Sequence, residues 1–391
     1  MTRQKIWTKN FISIGLVNLF VFITFYSLLT TLPLFVINEW GIPKGQAGLV
    51  VTIMLLSAIL VRPFSGNVLL NFGKERLLVI SVIIFAITAI GYLFTNSFAS
   101  LLILRFIHGI SFAVLTTATS AIATEIVPPE RRGEGLGYFT MSMNVAIVIG
   151  PFIGLTLTQV FSYQVLLYVL NLFTCISVFL AFFVQKNGTE IIDDEKVITN
   201  WSIRNLFEKS AISISLIGLL VAFAYSSVVS FISVYADGRG LSHVSGYFFL
   251  VFAVAMLVSR PYLGRQFDLR GPKPVIIPCM LLFSIGFICL GFTNSALAFL
   301  FSSAIIGIGY GSLLPFLLSI VIERSPTSRS GHANATFYTM YDTGIAIGSF
   351  LLGIIVTYIG FANLFFCLAG LVIIILLLFI SLLTNKKVNA D

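Results

Sequence analysis

Polar residues in this chain come as brief interruptions between long apolar runs, and the runs are the dominant pattern. Cutting the sequence at turn residues and charges leaves twelve stretches, near 10–36, 44–66, 77–95, 98–123, 135–159, 163–184, 211–235, 243–264, 274–293, 297–321, 332–357 and 361–383. Each is about as long as the twenty or so residues a helix needs to cross a hydrocarbon layer. A β-barrel would require shorter segments that alternate apolar and polar positions. Leu371 to Leu378 is instead continuously apolar, so the pattern predicts helices.

The runs are also written twice. Arg62-Pro63-x-x-Gly66 with Gly73 returns 198 residues later as Arg260-Pro261-x-x-Gly264 with Gly271, and Phe94-Thr95-Asn96-Ser97 returns as Phe292-Thr293-Asn294-Ser295. The same offset carries Gly48, Gly109, Glu125, Pro128, Arg131, Gly133 and Gly150 onto Gly246, Gly307, Glu323, Pro326, Arg329, Gly331 and Gly348. Duplicated apolar units point to two packed helical bundles with a site between them. The expected organisation is an all-α membrane protein with a six-helix bundle over 1–185, a cytoplasmic linker over 186–210 and a second six-helix bundle over 211–391.

Composition excludes the soluble alternative. With 58% hydrophobic and 10% charged residues among 391, too little polar surface exists to wrap a core in water. Placing the N-terminus inside puts twenty of the 23 basic residues on the inner side, leaves Lys44 and Arg239 outside, and embeds Arg105. This bias predicts cytoplasmic termini in a multi-pass protein of the plasma membrane. It also accounts for the net charge of +8 without nucleic acid, since the basic residues are not gathered on one solvated domain. Cys175, Cys279, Cys289 and Cys367 all fall inside apolar runs and read as small hydrophobes, with no metal site expected. The first run is too long for a removable signal peptide and reads as a retained first helix.

Against this background a few residues stand out. The loops RPFSGNVLLNFGKER and RPYLGRQFDLRGPK use paired glycines for tight turns. The second resembles the Gly-x-x-x-Asp-x-x-Gly-x-Lys/Arg signature of the major facilitator superfamily, with Gly264, Asp268, Gly271 and Lys273 in place. The first keeps Gly66, Gly73 and Lys74 but has Leu70 at the acidic position. The resemblance implies a latch between the two halves on the cytoplasmic side, retained at Asp268. Tight turns carrying inside-positive charge are the simpler reading for Lys74 and Arg76. Contacts of Glu125 and Glu323 with Arg131 and Arg329 are a gating alternative to plain hydration of helix ends.

Leu101-x-x-x-Arg105-x-x-His108-Gly109 is similar to that family's pattern associated with proton coupling, with His108 in place of glutamine. A guanidinium several residues deep is costly in lipid, so Arg105 is expected to face the bundle interior or a wet cavity. His108 lies three residues on, hence on the same face, and reads either as a proton-path residue or as a hydrogen-bonded core histidine. Gly137-x8-Ala146-x3-Gly150-Pro151-x2-Gly154-Leu155 resembles the family's antiporter motif. Its small residues permit close helix approach, and Pro151 removes a backbone hydrogen bond.

Asp342 lies eleven residues past Gly331, near the layer's centre at about 1.5 Å per residue. Its repeat counterpart is Asn144. A carboxyl group there can load and release a proton, or can serve as a structural acid paired with Tyr338 or Tyr341. By the same resemblance, the residues expected to line a central cavity include Asn18, Tyr26, Thr30, Thr116, Tyr225, Ser226 and Tyr310. The 38 phenylalanines suit an adaptable apolar wall.

Together these features resemble the drug:proton antiporter branch of the superfamily along essentially the whole chain. The resemblance implies export of small amphipathic compounds by alternating access, with protons, substrate and membrane lipids as partners and a monomer as the expected state. No cofactor is expected. The chain lacks Gly-x4-Gly-Lys-Ser/Thr, so a proton gradient rather than ATP is the anticipated energy source, and sodium stays open. Export of an anionic metabolite, a siderophore or metallophore, or a sugar, and lipid flipping, remain alternatives. An enzyme is disfavoured by the scattered histidines and the absence of a nucleophile-base pair.

Overall fold

The computed structural model describes residues 5–128, 132–184, 207–326 and 330–384. Its helices are α1 (Lys9–Trp40), α2 (Lys44–Ala47), α3 (Leu49–Phe72), α4 (Lys74–Gly91), α5 (Phe98–Ile126), α6 (Arg132–Val160), α7 (Tyr163–Phe182), α8 (Lys209–Gly238), α9 (Ser245–Arg270), α10 (Lys273–Gly291), α11 (Ala296–Gly311), α12 (Leu313–Glu323) and α13 (Ser330–Thr384). No strand occurs among the described residues.

Eleven helical stretches are long and apolar enough to cross a membrane. The last, His332–Leu382, holds 51 residues, about 75 Å at the helical rise and more than twice a hydrocarbon layer. It is broken at Gly360, where φ is 74° and ψ 168°, a conformation that only glycine adopts readily. The break makes two spans of α13, and the count becomes the twelve that the apolar runs predict. Span 10 is interrupted once, between α11 and α12 at Ser312. Pro315 has no N–H for the carbonyl of Gly311 four residues earlier, which is where the first piece stops.

The sequence repeat is a repeat of helix ends. Gly73 and Gly271 both carry positive φ, 87° and 78°, at the turns that follow spans 2 and 8. Ser97 and Ser295 both cap the next-but-one span, each side chain accepting from a backbone N–H three residues on, at 3.3 Å in both copies. An N-cap serine satisfies one of the donors that a helix start leaves orphaned. The repeated Phe-Thr-Asn-Ser is therefore a start signal for spans 4 and 10.

Two compact units emerge. The first comprises the described parts of 1–28 and 56–202; the second comprises 29–55 with the described parts of 203–391. The tip of the first hairpin, from the second half of α1 through α2 to the start of α3, thus packs with the second half of the chain. The expected linker over 186–210 lies largely outside the described residues.

Candidate functional site

In the second unit, α13 carries Asp342 twelve residues in from its start, about 18 Å along the axis. Its carboxylate is half-buried, and it follows directly on Tyr341, whose hydroxyl is hydrogen-bonded to that of Tyr310 on α11. The Tyr310 ring stacks on Tyr225 of α8 with centroids 3.7 Å apart and planes 11° from parallel. Phe283 of α10 and Phe252 of α9 close the cluster, 5.3 and 6.3 Å from Tyr310. Five helices therefore converge on one group of phenols and phenyls, and the carboxylate of Asp342 is carried by the residue after Tyr341. The cluster is closed in this state, with its rings packed on one another, and it gathers the aromatic faces and phenol hydroxyls that can hold a cationic group or carry a proton.

Tyr225 and Tyr310, both expected to line a cavity, are 3% and 5% exposed, packed against each other. Ser226 is fully buried on the same helix and donates to the carbonyl of Phe223 at 2.7 Å. Gly348 packs against that turn, where a Cβ would lie 2.7 Å from the Phe223 carbonyl.

In the first unit, Arg105 is fully buried in α5. Its guanidinium hydrogen-bonds the hydroxyl of Tyr92, which stands 2.7 Å from Nδ1 of His108. Phe85 lies over the His108 ring at 4.1 Å between centroids. Arginine can only donate, so the phenol oxygen accepts from it, and the histidine tautomer sets which of Tyr92 and His108 donates to the other. Arg105, Tyr92 and His108 form one polar line inside an apolar bundle. Sequence reading paired Arg105 with His108 but missed Tyr92, which lies across the turn between spans 3 and 4 in an unremarkable apolar stretch.

Asn18 is a cross-brace of the same unit. Its amide nitrogen donates to Ser142 Oγ on α6 at 2.8 Å, and its oxygen accepts from Thr119 Oγ1 on α5 at 3.2 Å. Tyr26 is half-buried among Phe22 and Phe25. Thr116 returns its hydroxyl to the Phe112 carbonyl at 2.8 Å. Gly150 sits where α6 crosses α1: a Cβ would lie 2.9 Å from both the Ile23 carbonyl and Tyr26 Cβ, and Ser27 Oγ donates to the Gly150 carbonyl at 2.6 Å. Pro151 and Gly154 are buried in the following turn. The Gly-Pro pair thus marks a close helix crossing.

Among the residues expected to gate, Gly73 and Gly271 hold their turns as described. A Cβ added at Gly264 would meet nothing within 4 Å, so no neighbour demands a glycine there. The surroundings of Gly66 are outside the described side chains, and Arg131 and Arg329 are outside the described residues altogether. Asp268 is exposed and forms no ion pair with a described residue. Glu125 pairs with Lys74 at 2.6 Å, joining the end of α5 to the start of α4.

The tip of the first hairpin is tightly seated in the second unit. Thr30 is fully buried, and its carbonyl accepts from Ser233 Oγ at 3.0 Å. Thr52 Oγ1 donates to the Ala346 carbonyl at 2.8 Å. Gly48 lies so near the Ser349 carbonyl that a Cβ would overlap it, while Gly45 stands at ordinary contact, 3.7 Å, from Gly353 and Thr357. The repeat singles out Gly48, but not the helix it meets. No group of three or more His, Cys, Asp or Glu side chains stands together among the described residues.

The Major Facilitator Superfamily model matches this chain over residues 14–265 and again over 243–390. The staphylopine export protein of Staphylococcus aureus is 22% identical over 358 residues, covering 87% of this chain and 88% of that protein. A multi-drug resistance efflux pump PmrA homolog of Lactococcus lactis is 24% identical, covering 92% and 91%. Among solved structures, a POT family transporter in complex with a thioalcohol conjugated peptide shares the fold with a TM-score of 0.78 at 15% identity, covering 96% of each chain. Two successive family matches spanning a twice-written, twelve-span helical chain lead to one conclusion: this multi-pass membrane protein belongs to the Major Facilitator Superfamily.

Proposed function

We propose that the protein is a proton-driven exporter of small amphipathic organic compounds, working by alternating access in the plasma membrane with both termini in the cytoplasm. The observation that carries this reading is Asp342, a half-buried acid at mid-span on the helix whose preceding residue, Tyr341, hydrogen-bonds the Tyr310 hydroxyl. A carboxylate on the same helix as Tyr341 can exchange a proton for a cationic or polar ligand, and movement of the spans parts Tyr225, Tyr310 and Phe252, packed together here, to receive its apolar part. Names of relatives across most of the chain, a multi-drug resistance efflux pump among them, support export as the direction.

Arg105 enters as an organiser of the first bundle. Its head is enclosed and engaged with Tyr92. In this role Arg105 and His108 tune proton access, and Gly150-Pro151 supports the crossing of α6 over α1. The hairpin tip at Gly48 and Thr52 is the seal that must part when substrate leaves. Substrate-induced proton flux in proteoliposomes, run over a panel of cations, zwitterions and chelators, tests the reading.

A second reading, dedicated export of one metabolite, is favoured by the similarity to the staphylopine export protein over 87% of this chain. Matched cationic and carboxylate substrates in the same assay separate the two.

A further inference from the structure

The loops that follow spans 1, 7 and 11 meet in the second unit around a cavity of about 310 Å³ lined by Lys44, Tyr235, Gly238, Arg239, Gly360 and Phe361. Lys44 Nζ lies 5.8 Å from the centroid of Phe361, and Arg239 Cζ lies 5.6 Å from that of Tyr235. The two rings are themselves packed, with centroids 5.5 Å apart and planes at 57°. A pair of cations is thus mounted on a pair of aromatic faces.

Nothing negative among the described residues balances them. No acidic residue lines the cavity, and neither cation forms an ion pair with a described residue. Asp237, two residues before Arg239, accepts from Ser242 Oγ at 2.8 Å, and Glu39 is exposed on the other loop. Arg239 directs one donor to Asn294 Oδ1 at 3.4 Å. Four of its five donors and the three of Lys44 remain for a ligand. In a chain whose other basic residues cluster elsewhere, these are also the two that charge bias sets on the opposite face.

Both cations line the cavity and are exposed, so an oxyanion entering it meets two positive charges with no carboxylate among the lining residues. We propose that this cavity binds a phosphate-class oxyanion, either the phosphodiester of an anionic lipid or a free phosphate, held between Lys44 and Arg239. The aromatic faces fix the two cations, and the apolar wall of Phe361 accommodates the glycerol end of a lipid. Because Lys44 belongs to the hairpin tip and Arg239 ends α8, the bound anion fastens the tip onto spans 7 and 11. That adds to the contacts at Gly48 and Thr52.

Native mass spectrometry of the full-length protein, with phosphatidylglycerol, phosphatidylcholine or inorganic phosphate as the probe, tests the site. The tightest anionic adduct is expected to bind about tenfold more weakly to Lys44→Gln/Arg239→Gln than to the unaltered protein, and to persist in the charge-keeping Lys44→Arg/Arg239→Lys. Weakening with phosphatidylglycerol alone assigns a lipid; weakening with inorganic phosphate as well assigns a free oxyanion. Equal affinity of unaltered and Gln proteins for both probes overturns the proposal. Acylation of Lys44 in the unaltered protein gives a test free of substitution: either anionic probe should slow it several-fold relative to phosphatidylcholine, and equal rates overturn the site.

Discussion

The hydroxyl of Tyr92 stands 2.7 Å from Nδ1 of His108 and also receives the Arg105 guanidinium, so one phenol joins two ionisable side chains inside the first bundle. Removing it leaves both with a missing partner in an apolar surrounding. Tyr92→Phe is expected to lower stability by about 1–3 kcal/mol. Thermal unfolding in detergent reads the loss. Tyr92→Phe as stable as the unaltered protein would show that the phenol does not hold Arg105.

The hairpin tip supplies a pair of substitutions that differ only in what they meet. A Cβ on Gly48 overlaps the Ser349 carbonyl, while one on Gly45 stands 3.7 Å from its nearest neighbours. Gly48→Ala should therefore destabilise by about 1–3 kcal/mol, with Gly45→Ala near neutral. Equal melting temperatures for the two variants would contradict the packing of the tip against span 11.

Positive φ at Gly271, 78°, makes a further prediction. Gly271→Ala and Gly271→Asn are both expected to cost about 1–3 kcal/mol, because ψ of −174° puts this residue outside the left-handed helical region that asparagine tolerates. Gly264→Ala, with open space around it, should not lower stability. Comparing unfolding transitions for the three variants checks the order.

Lys74 and Glu125 form a 2.6 Å ion pair, but their side chains are 33% and 39% exposed. Water screens such a pair, so Lys74→Gln should change stability by no more than about 1 kcal/mol. A larger loss would mean that the pair holds the ends of spans 3 and 4 together.

Some of this was legible in the sequence because it is local. Gly73 and Gly271 had to be turns, and Ser97 and Ser295 fell where a span had to begin, since backbone conformation and capping depend on neighbours in the chain. Twelve apolar runs likewise fixed twelve spans. The interior face of each span was not legible. In a soluble helix the buried stripe is the apolar one, but here lipid and core are both apolar, and periodicity carries little information about which side faces in. That is why the stacking of Tyr225 on Tyr310 at 3.7 Å could not be foreseen. It is also why Asn18 turns out to brace three helices and why Tyr92 went unnoticed. Partners such as Gly48 and the Ser349 carbonyl lie some three hundred residues apart, and no local signal links them.

Substrate-induced proton flux in proteoliposomes containing Asp342→Asn is the most direct test of the mechanism. Asparagine keeps the size of the side chain that follows Tyr341 but cannot take up a proton. The account predicts that the variant folds, still binds substrate and carries no substrate-linked proton flux. Flux equal to that of the unaltered protein would remove Asp342 from the coupling step.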